Sequence, residues 1–255
     1  LSLLTKNVDV VIHAAGMNAL DCKNNPIEAM QFNGLITAKL LKASVTNRVK
    51  KFFFLSTAHV YSSFLYGFFD EESKCTNTHP YPASKIVAEN YIKYINQTYE
   101  IDACILRVSN VIGPPMSVYS DVWHLVTNDF CKQAFDHDKL IIKTNGIQER
   151  DFITIYDFQR AIDHLINLEK ISENNVFNLS SGKSKSIKKI ASLVQNRAKA
   201  LFGINLSVQV NKNDISSHDK VTLSNNKLKE TGYKFLNNYQ FAIDETLNFI
   251  KKNYD

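Results

Sequence analysis

Short apolar runs alternate with longer amphipathic stretches along this chain, and the alternation restricts the fold to a few classes. The apolar runs are rich in Val, Ile and Phe and lie at residues 8–13, 49–56, 103–108 and 176–179. Runs of this length that are too apolar to face water are typical of strands buried on both faces of a parallel sheet. The pattern therefore predicts βα units and an α/β fold.

The amphipathic stretches carry apolar residues near helical spacing and have recognisable ends. Pro26 suits the first helical position, and Ser186 suits an N-cap whose side chain accepts from free amides of the first turn. The predicted helices span residues 26–44, 82–98, 157–168, 186–201 and 240–252. The periodicity weakens after the GlyProPro at 113–115, where we expect the chain to leave the sheet for a second lobe.

Tyr81 and Lys85 lie four residues apart near the start of the predicted helix 82–98, downstream of the strand-like run that ends at Thr57. Residues four apart on a helix share a face, so the phenol and the ammonium are expected to lie close together. A nearby ammonium favours the phenolate and lowers a phenol pKa that starts at about 10. The spacing is also common on solvated helix surfaces, but in the context below it predicts that Tyr81 is an acid/base.

Ordered motifs on both sides of this pair supply that context. They are VIHAAG at 11–16, QFNG at 31–34, LSTAHVY at 55–61, LRVSNVIGP at 106–114 and RDFITIYD at 150–157. In this order and at these spacings the chain resembles the extended short-chain dehydrogenase/reductase family, which includes nucleotide-sugar epimerases, dehydratases and reductases. The resemblance runs from about residue 8 to about residue 182 and implies a Rossmann-like parallel sheet.

The resemblance implies catalytic roles for Thr57, Tyr81 and Lys85. The Thr57 hydroxyl and the Tyr81 phenol would both hydrogen-bond the sugar oxygen that is oxidised. Lys85 would hold the nicotinamide ribose and favour deprotonation of the phenol.

The same resemblance implies the binding residues. The residues expected beside an NAD or NADP cofactor are Ala14, Ala15, Gly16, Asn33 and Ser56, together with Tyr81 and Lys85. Asn110 and Arg150 match the family's ligands of the sugar diphosphate, and a planar guanidinium is well shaped for phosphate oxygens. We expect no metal.

His59 is the residue that distinguishes among the reaction types of this family. In the family's 4,6-dehydratases the two residues after the catalytic hydroxyl are Asp and Glu, whereas here they are Ala58 and His59, so dehydration is not expected. The second position is Cys in the family's GDP-sugar 3,5-epimerases, where it acts on a carbon beside a transient ketone. His59 would either transfer a proton in that way or only line the pocket.

A Gly-rich turn that the family carries near its start is absent from this sequence. Such a turn lets the cofactor pyrophosphate approach a helix N-terminus, but the eight glycines here are scattered singly. VIHAAG matches the end of the family's fourth strand, so we expect strands one to three to be missing. The strand at 8–13 would then be an exposed sheet edge, open to pairing with another chain.

These expectations divide the chain into two parts. A partial Rossmann-like cofactor domain is expected at residues 1–112 and 151–175. A smaller α+β substrate-binding lobe is expected at 113–150 and 176–255.

The composition limits the kinds of partner. At 255 residues and 44% hydrophobic residues the chain can bury a sizeable core. The net charge of +5 is small and its basic residues are spread among acids, so we expect no nucleic-acid partner. Apolar stretches fall far short of the roughly 18 residues of a membrane span, so we expect no membrane partner and a cytoplasmic location. Four well-separated cysteines fit reduced core thiols.

We therefore predict an NAD(P)-dependent epimerase of a nucleotide-activated sugar that works through a 4-keto intermediate. Two alternatives stay open: an NADPH-dependent 4-keto-sugar reductase, and a non-catalytic remnant that binds a nucleotide sugar without turning it over. The intact Thr57, Tyr81 and Lys85 favour an enzyme, while the missing Gly-rich turn favours the remnant. The expected partners are a nucleotide-diphosphate sugar and a second copy of the chain in a homodimer.

Overall fold

The computed structural model describes residues 1–63, 66–171, 175–215 and 220–254 of the chain. The strands are β1 (Val10–His13), β2 (Lys51–Thr57), β3 (Gly67–Phe69), β4 (Asp102–Val108), β5 (Asn110–Ile112), β6 (Lys139–Ile142), β7 (Glu149–Thr154), β8 (Val176–Leu179), β9 (Ser184–Ser186), β10 (Ser207–Val210) and β11 (Val221–Leu223). The α-helices are α1 (Ala19–Asn24), α2 (Pro26–Ala29), α3 (Thr37–Thr46), α4 (Pro80–Thr98), α5 (Val126–Asp136), α6 (Ile155–Asn167), α7 (Ile187–Phe202), α8 (Asn226–Glu230) and α9 (Tyr239–Tyr254).

A parallel sheet in the order β1-β2-β4-β8 forms the centre of the molecule. Its side chains alternate between two cores because successive residues of a strand point to opposite faces. Phe53 packs with residues of α6 and α8 on one face, whereas Phe52 and Phe54 pack with residues of α3 and α4 on the other. The predicted α/β fold with a Rossmann-like parallel sheet is confirmed.

β1 lies at the edge of this sheet. Among the described strands it pairs with β2 alone, in parallel register from Val10 opposite Lys51 to His13 opposite Phe54. The Ile12 side chain is 47% exposed, which is unusual for an apolar residue in the first strand of a parallel sheet. The edge position agrees with the expectation for residues 8–13, and pairing of this edge with a second copy stays a prediction.

A separate hydrophobic core lies among α5, α7 and α9 and the strands β6 and β10. It contains Phe130, Ile142, Val194 and Leu247, all buried. The division into a cofactor domain and a substrate lobe stays a prediction, with one difference at its boundary. Residues 176–179, expected in the lobe, form β8 and extend the central sheet because they pair with β4.

The long helices follow the sequence prediction closely. α4 begins at Pro80, two residues before the predicted start, because His79 caps it and Pro80 needs no amide partner. Ser186 caps α7 as predicted, with its side chain accepting from the Lys189 amide. No helix within the described residues is long and apolar enough to cross a bilayer. The cytoplasmic location stays a prediction.

Candidate active site

The predicted site residues converge at the carboxyl ends of the central strands. Gly16 follows β1, Thr57 ends β2 and Asn110 follows β4, and the strands run in the same direction. Ligands of open α/β sheets bind at this end, since the loops that leave the strands meet there.

α4 brings Tyr81 and Lys85 against the end of β2. The His79 Nδ1 atom accepts from the Tyr81 amide at 3.2 Å, and this cap fixes where the helix begins. The Tyr81 phenol and the Thr57 hydroxyl are neighbours on the wall of one cavity. One turn further along, Lys85 Nζ donates to the backbone oxygen of Leu55 at 3.1 Å.

The protonation of this pair differs from the sequence-based expectation. Burial lowers the pKa of Lys85 to about 8, because a charged ammonium is poorly solvated there. Burial also raises the pKa of Tyr81 above its ordinary value, although the neighbouring Thr57 hydroxyl opposes the rise. The expectation that the ammonium lowers the pKa of Tyr81 is therefore wrong for the chain as described, since desolvation dominates.

The loop after β1 approaches Lys85 closely at position 16. A Cβ atom at Gly16 would lie 2.8 Å from Lys85 Nζ and 3.0 Å from Asn33 Oδ1. Asn33 is buried in a π-helical segment, Met30–Ile36, where its Oδ1 accepts from the Met17 amide at 2.9 Å. Its Nδ2 donates to Ser84 Oγ at 3.0 Å, so Asn33 ties this loop to α4.

The residues expected beside the cofactor therefore leave an open surface next to a buried ammonium. Ala14, Ala15 and Gly16 are exposed, and Lys85 lies directly behind Gly16. Small exposed residues beside a buried cation fit the predicted place of the nicotinamide end of NAD(P). Ser56 is different, because its hydroxyl donates to Glu89 Oε1 at 2.6 Å and points into the protein. The Ser56 hydroxyl hydrogen is therefore used by Glu89, and only its oxygen or its backbone is left for a cofactor.

A cavity of about 350 Å³ opens beside Thr57 and Tyr81. It is lined by the other predicted site residues, His59, Asn110 and Arg150. Asn110 Nδ2 donates to the backbone oxygen of Asp151 at 2.8 Å, and Arg150 Nη1 donates to that of Glu149 at 2.8 Å. These contacts hold both side chains in place, which suits a pocket that binds an anionic or polar ligand.

His59 is solvent-accessible inside this cavity. Its amide donates to Thr57 Oγ1 at 3.2 Å, which turns the backbone after β2. Its pKa is lowered, first by partial desolvation in the pocket and then by the positive charge of Arg150. A neutral imidazole in this position is able to accept a proton.

Other cavity residues come from distant parts of the chain and were missed in the sequence. Asn18 and His124 line the wall, with Asn18 Nδ2 donating to Asp121 Oδ2 at 3.2 Å. Val221 and Leu223 of β11 close another side. No local motif marks these residues, because the fold alone brings them to the end of β2.

Asp151 is not a candidate catalytic group, and a larger cavity is not the candidate site. Asp151, which follows Arg150, accepts from the Ser181 amide and hydroxyl at 2.9 Å each, so it is a structural acceptor. A larger open cavity of about 1070 Å³ lies at the opposite, amino ends of β4 and β8, beside Asp102 and Val176. It contains none of the residues that converge near Tyr81.

Known proteins resemble this chain over most of its length. A putative UDP-glucose 4-epimerase of Methanocaldococcus jannaschii is 28% identical over 97% of this chain and 79% of its own length. A dTDP-D-glucose 4,6-dehydratase of Homo sapiens is 30% identical over 73% of this chain, which spans 52% of that protein.

A solved structure shares the fold. The UDP-N-acetylglucosamine 4-epimerase of Methanobrevibacter ruminantium M1, in complex with UDP-N-acetylmuramic acid, superposes with a TM-score of 0.85 at 22% identity, covering 98% of this chain and 79% of that one. The model of the NAD dependent epimerase/dehydratase family matches residues 2–180. The chain therefore belongs to the NAD dependent epimerase/dehydratase family, a family of enzymes of the extended short-chain dehydrogenase/reductase type.

Proposed function

We propose that this chain epimerises a nucleotide-activated sugar through a 4-keto intermediate, with the cavity beside Tyr81 as its substrate site. The observation that carries the proposal is the convergence of Thr57, His59, Tyr81, Asn110 and Arg150 on one cavity. The relative named as a putative UDP-glucose 4-epimerase, 79% of whose length the chain covers, supports the same reaction class.

Tyr81 and Thr57 would act together at the sugar 4-hydroxyl. The phenol, as phenolate, takes the hydroxyl proton while the Thr57 hydroxyl donates to the same oxygen, which aligns it for oxidation. A positive charge at Lys85 one turn along the helix would favour the phenolate once a ligand screens the site from water. After the ketone has presented its other face, Tyr81 returns the proton.

NAD, when bound, supplies hydride acceptance and return at C4. Ala14, Ala15 and Gly16 would border its nicotinamide end, and Lys85 would hold its ribose. Asn33 would act indirectly, by fixing the loop that carries Gly16. Asn110 and Arg150 would bind the sugar diphosphate, because a guanidinium can donate two parallel hydrogen bonds to phosphate oxygens.

The alternative function is reduction of a 4-keto sugar by NADPH, which would use the same residues in the same positions. The experiment below distinguishes the two reactions. Dehydration is disfavoured because Ala58 and His59 stand where an acid and a base would be needed.

The experiment is conversion of a panel of UDP- and dTDP-sugars by the purified chain with saturating NAD, followed by NMR of the sugar ring. The proposal expects inversion at C4 of one sugar, and a loss of about 100-fold or more in kcat for Tyr81→Phe. Arg150→Gln should instead weaken binding of UDP alone, which calorimetry measures without catalysis. A kcat of Tyr81→Phe within threefold of the wild type would remove the role of Tyr81. An unchanged affinity of Arg150→Gln for UDP would remove the role of Arg150.

A further inference from the structure

A buried ion pair lies behind the site, between α4 and β4. Glu89 and Arg107 are each 1% exposed, and Arg107 donates to both carboxylate oxygens, with Nη2 to Oε2 at 2.7 Å and Nε at 3.2 and 3.3 Å. The proton-transfer scheme at Tyr81 uses neither residue. A buried charge pair of this kind is costly to desolvate, and its strict geometry fixes the elements that carry it.

Glu89 lies on the same face of α4 as the proposed catalytic residues. Tyr81, Lys85 and Glu89 are spaced four residues apart, so they occupy successive turns of one stripe. Each of them contacts one of three consecutive residues of β2. Lys85 donates to the Leu55 oxygen, Glu89 accepts from the Ser56 hydroxyl at 2.6 Å, and Tyr81 lies beside the Thr57 hydroxyl.

Arg107 also contacts residues on the side away from Glu89. Its Nη1 donates to the Glu71 backbone oxygen at 3.1 Å, and its guanidinium lies 4.9 Å from the centre of the Tyr61 ring. The Tyr61 hydroxyl in turn donates to Asn178 Oδ1 of β8 at 2.6 Å. The Glu89 carboxylate is therefore anchored through β4 to β8.

We propose that Glu89 is a positioning residue, which holds α4 at the one register on β2 that brings Tyr81 to Thr57 and Lys85 to the end of the strand. Glu89 touches no substrate and acts through Ser56 and Arg107. The catalytic consequence rests on the proposed function, whereas the structural consequence does not. A bond of 2.6 Å to a carboxylate in a site of low dielectric constant is strong, and a small shift of a reacting group lowers rates steeply.

The protonation of Lys85 reports the helix register without any catalysis. Its pKa is lowered to about 8 because α4 buries it against β2, so a displaced helix would admit water and raise that pKa. The titratable groups that face Lys85 are Tyr81 on its own helix, Cys22 of α1 and His13 of β1. Glu89 itself lies one turn from Lys85 on the same face of α4, so Ser56→Ala, which leaves every charge in place, is the deciding variant.

The experiment is an NMR titration of the lysine side chains in the cofactor-free chain, with the Lys85 signal assigned by its loss in Lys85→Met. Ser56→Ala removes the hydroxyl and leaves the ion pair, and Glu89→Gln weakens both contacts. Asn96→Ala is the matched control. Asn96 also ties α4 to β4, through bonds with the Ala103 oxygen and amide at 2.7 and 3.1 Å, but it lies at the other end of the helix.

Ser56→Ala should raise the Lys85 midpoint by about half a pH unit or more, and Asn96→Ala should lower the melting temperature without moving that midpoint. In an active chain, Ser56→Ala should also lower kcat by about tenfold with KM within about twofold of wild type.

The outcomes separate as follows: if Glu89→Gln fails to fold, the Lys85 midpoint in Ser56→Ala alone tests the positioning role. An unchanged midpoint in Ser56→Ala, or an equal shift in Asn96→Ala, would overturn the proposal even if no sugar is converted. If the Lys85 midpoint shifts in a chain that converts no sugar, the positioning role of Glu89 stands and the proposed function is rejected.

Discussion

Lys85 Nζ donates a hydrogen bond to the backbone oxygen of Leu55, 3.1 Å away, at the point where β2 approaches the proposed site. The ammonium also lies 4.9 Å from the centre of the Phe54 ring. An uncharged carbonyl and a ring face only partly replace the water that Lys85 loses, so its pKa falls to about 8. The site thus carries a positive charge at a cost to stability.

Lys85→Met should stabilise the chain at pH 7 while abolishing its proposed activity. The folded-state pKa of Lys85 is about 8 and lies below the unfolded value, so at pH 7 the folded chain carries the full penalty of the buried charge. The free energy of unfolding should rise by about 3 kcal/mol in the variant, measured by urea denaturation. The advantage should shrink as the pH rises through 8, where wild-type Lys85 loses its proton. Exposed Lys93, on the same helix, is the control, and an equal gain from Lys93→Met would contradict the account.

His13 should make the chain sensitive to acid. The pKa of His13 is lowered to about 4 by burial and by the charge of Lys85, and its Nε2 bonds Thr37 Oγ1 at 2.8 Å. Because the unfolded chain takes up this proton below about pH 6.5 and the folded chain does not, stability should fall between pH 6.5 and 4. The loss between pH 7 and 5 should be about 2 kcal/mol and should largely disappear in His13→Asn. If the loss of stability persists in His13→Asn, or if His137→Asn at an exposed position removes it equally, the loss does not come from His13.

The central sheet could be predicted from sequence because its strands are long apolar runs and its helices are strongly periodic. α5 was missed, since its apolar residues pack into the lobe and follow an irregular stretch after Pro115. The site residues carried by motifs were predicted by position, but their protonation was not, because burial depends on the whole fold. The Glu89–Arg107 pair joins residues 18 apart in sequence on a helix and a strand, and no short motif records such a contact.

His59 should transfer a proton at the carbon next to the 4-ketone. Its lowered pKa leaves it neutral near pH 7, and it lies in the cavity with Tyr81. The chain should therefore incorporate solvent deuterium beside C4, and His59→Ala should lose this exchange while hydride transfer continues. Mass spectrometry of the sugar measures it. Absence of deuterium in the wild-type product would make His59 a residue that only lines the pocket.

The edge strand β1 should make the chain self-associate. Its outward backbone groups have no partner strand within the described residues, and Ile12 is 47% exposed. Sedimentation velocity should show dimers or larger species, which Ile12→Lys should reduce. Ile215, 98% exposed and outside the described strands, is the matched control. A monomeric wild-type chain, or dimers that Ile215→Lys reduces as much as Ile12→Lys, would contradict this prediction.

The central claim is that hydride leaves C4 of a nucleotide sugar and returns to the same carbon within the Thr57–Tyr81–Lys85 site. The direct test is conversion of a UDP-sugar labelled with deuterium at C4, in the presence of catalytic NAD. We predict a C4 epimer that keeps its deuterium, with no net formation of NADH and no product from Tyr81→Phe beyond about 1% of the wild-type rate. A product that loses the label, or one that forms only with stoichiometric NADPH, would contradict the epimerase and favour the reductase.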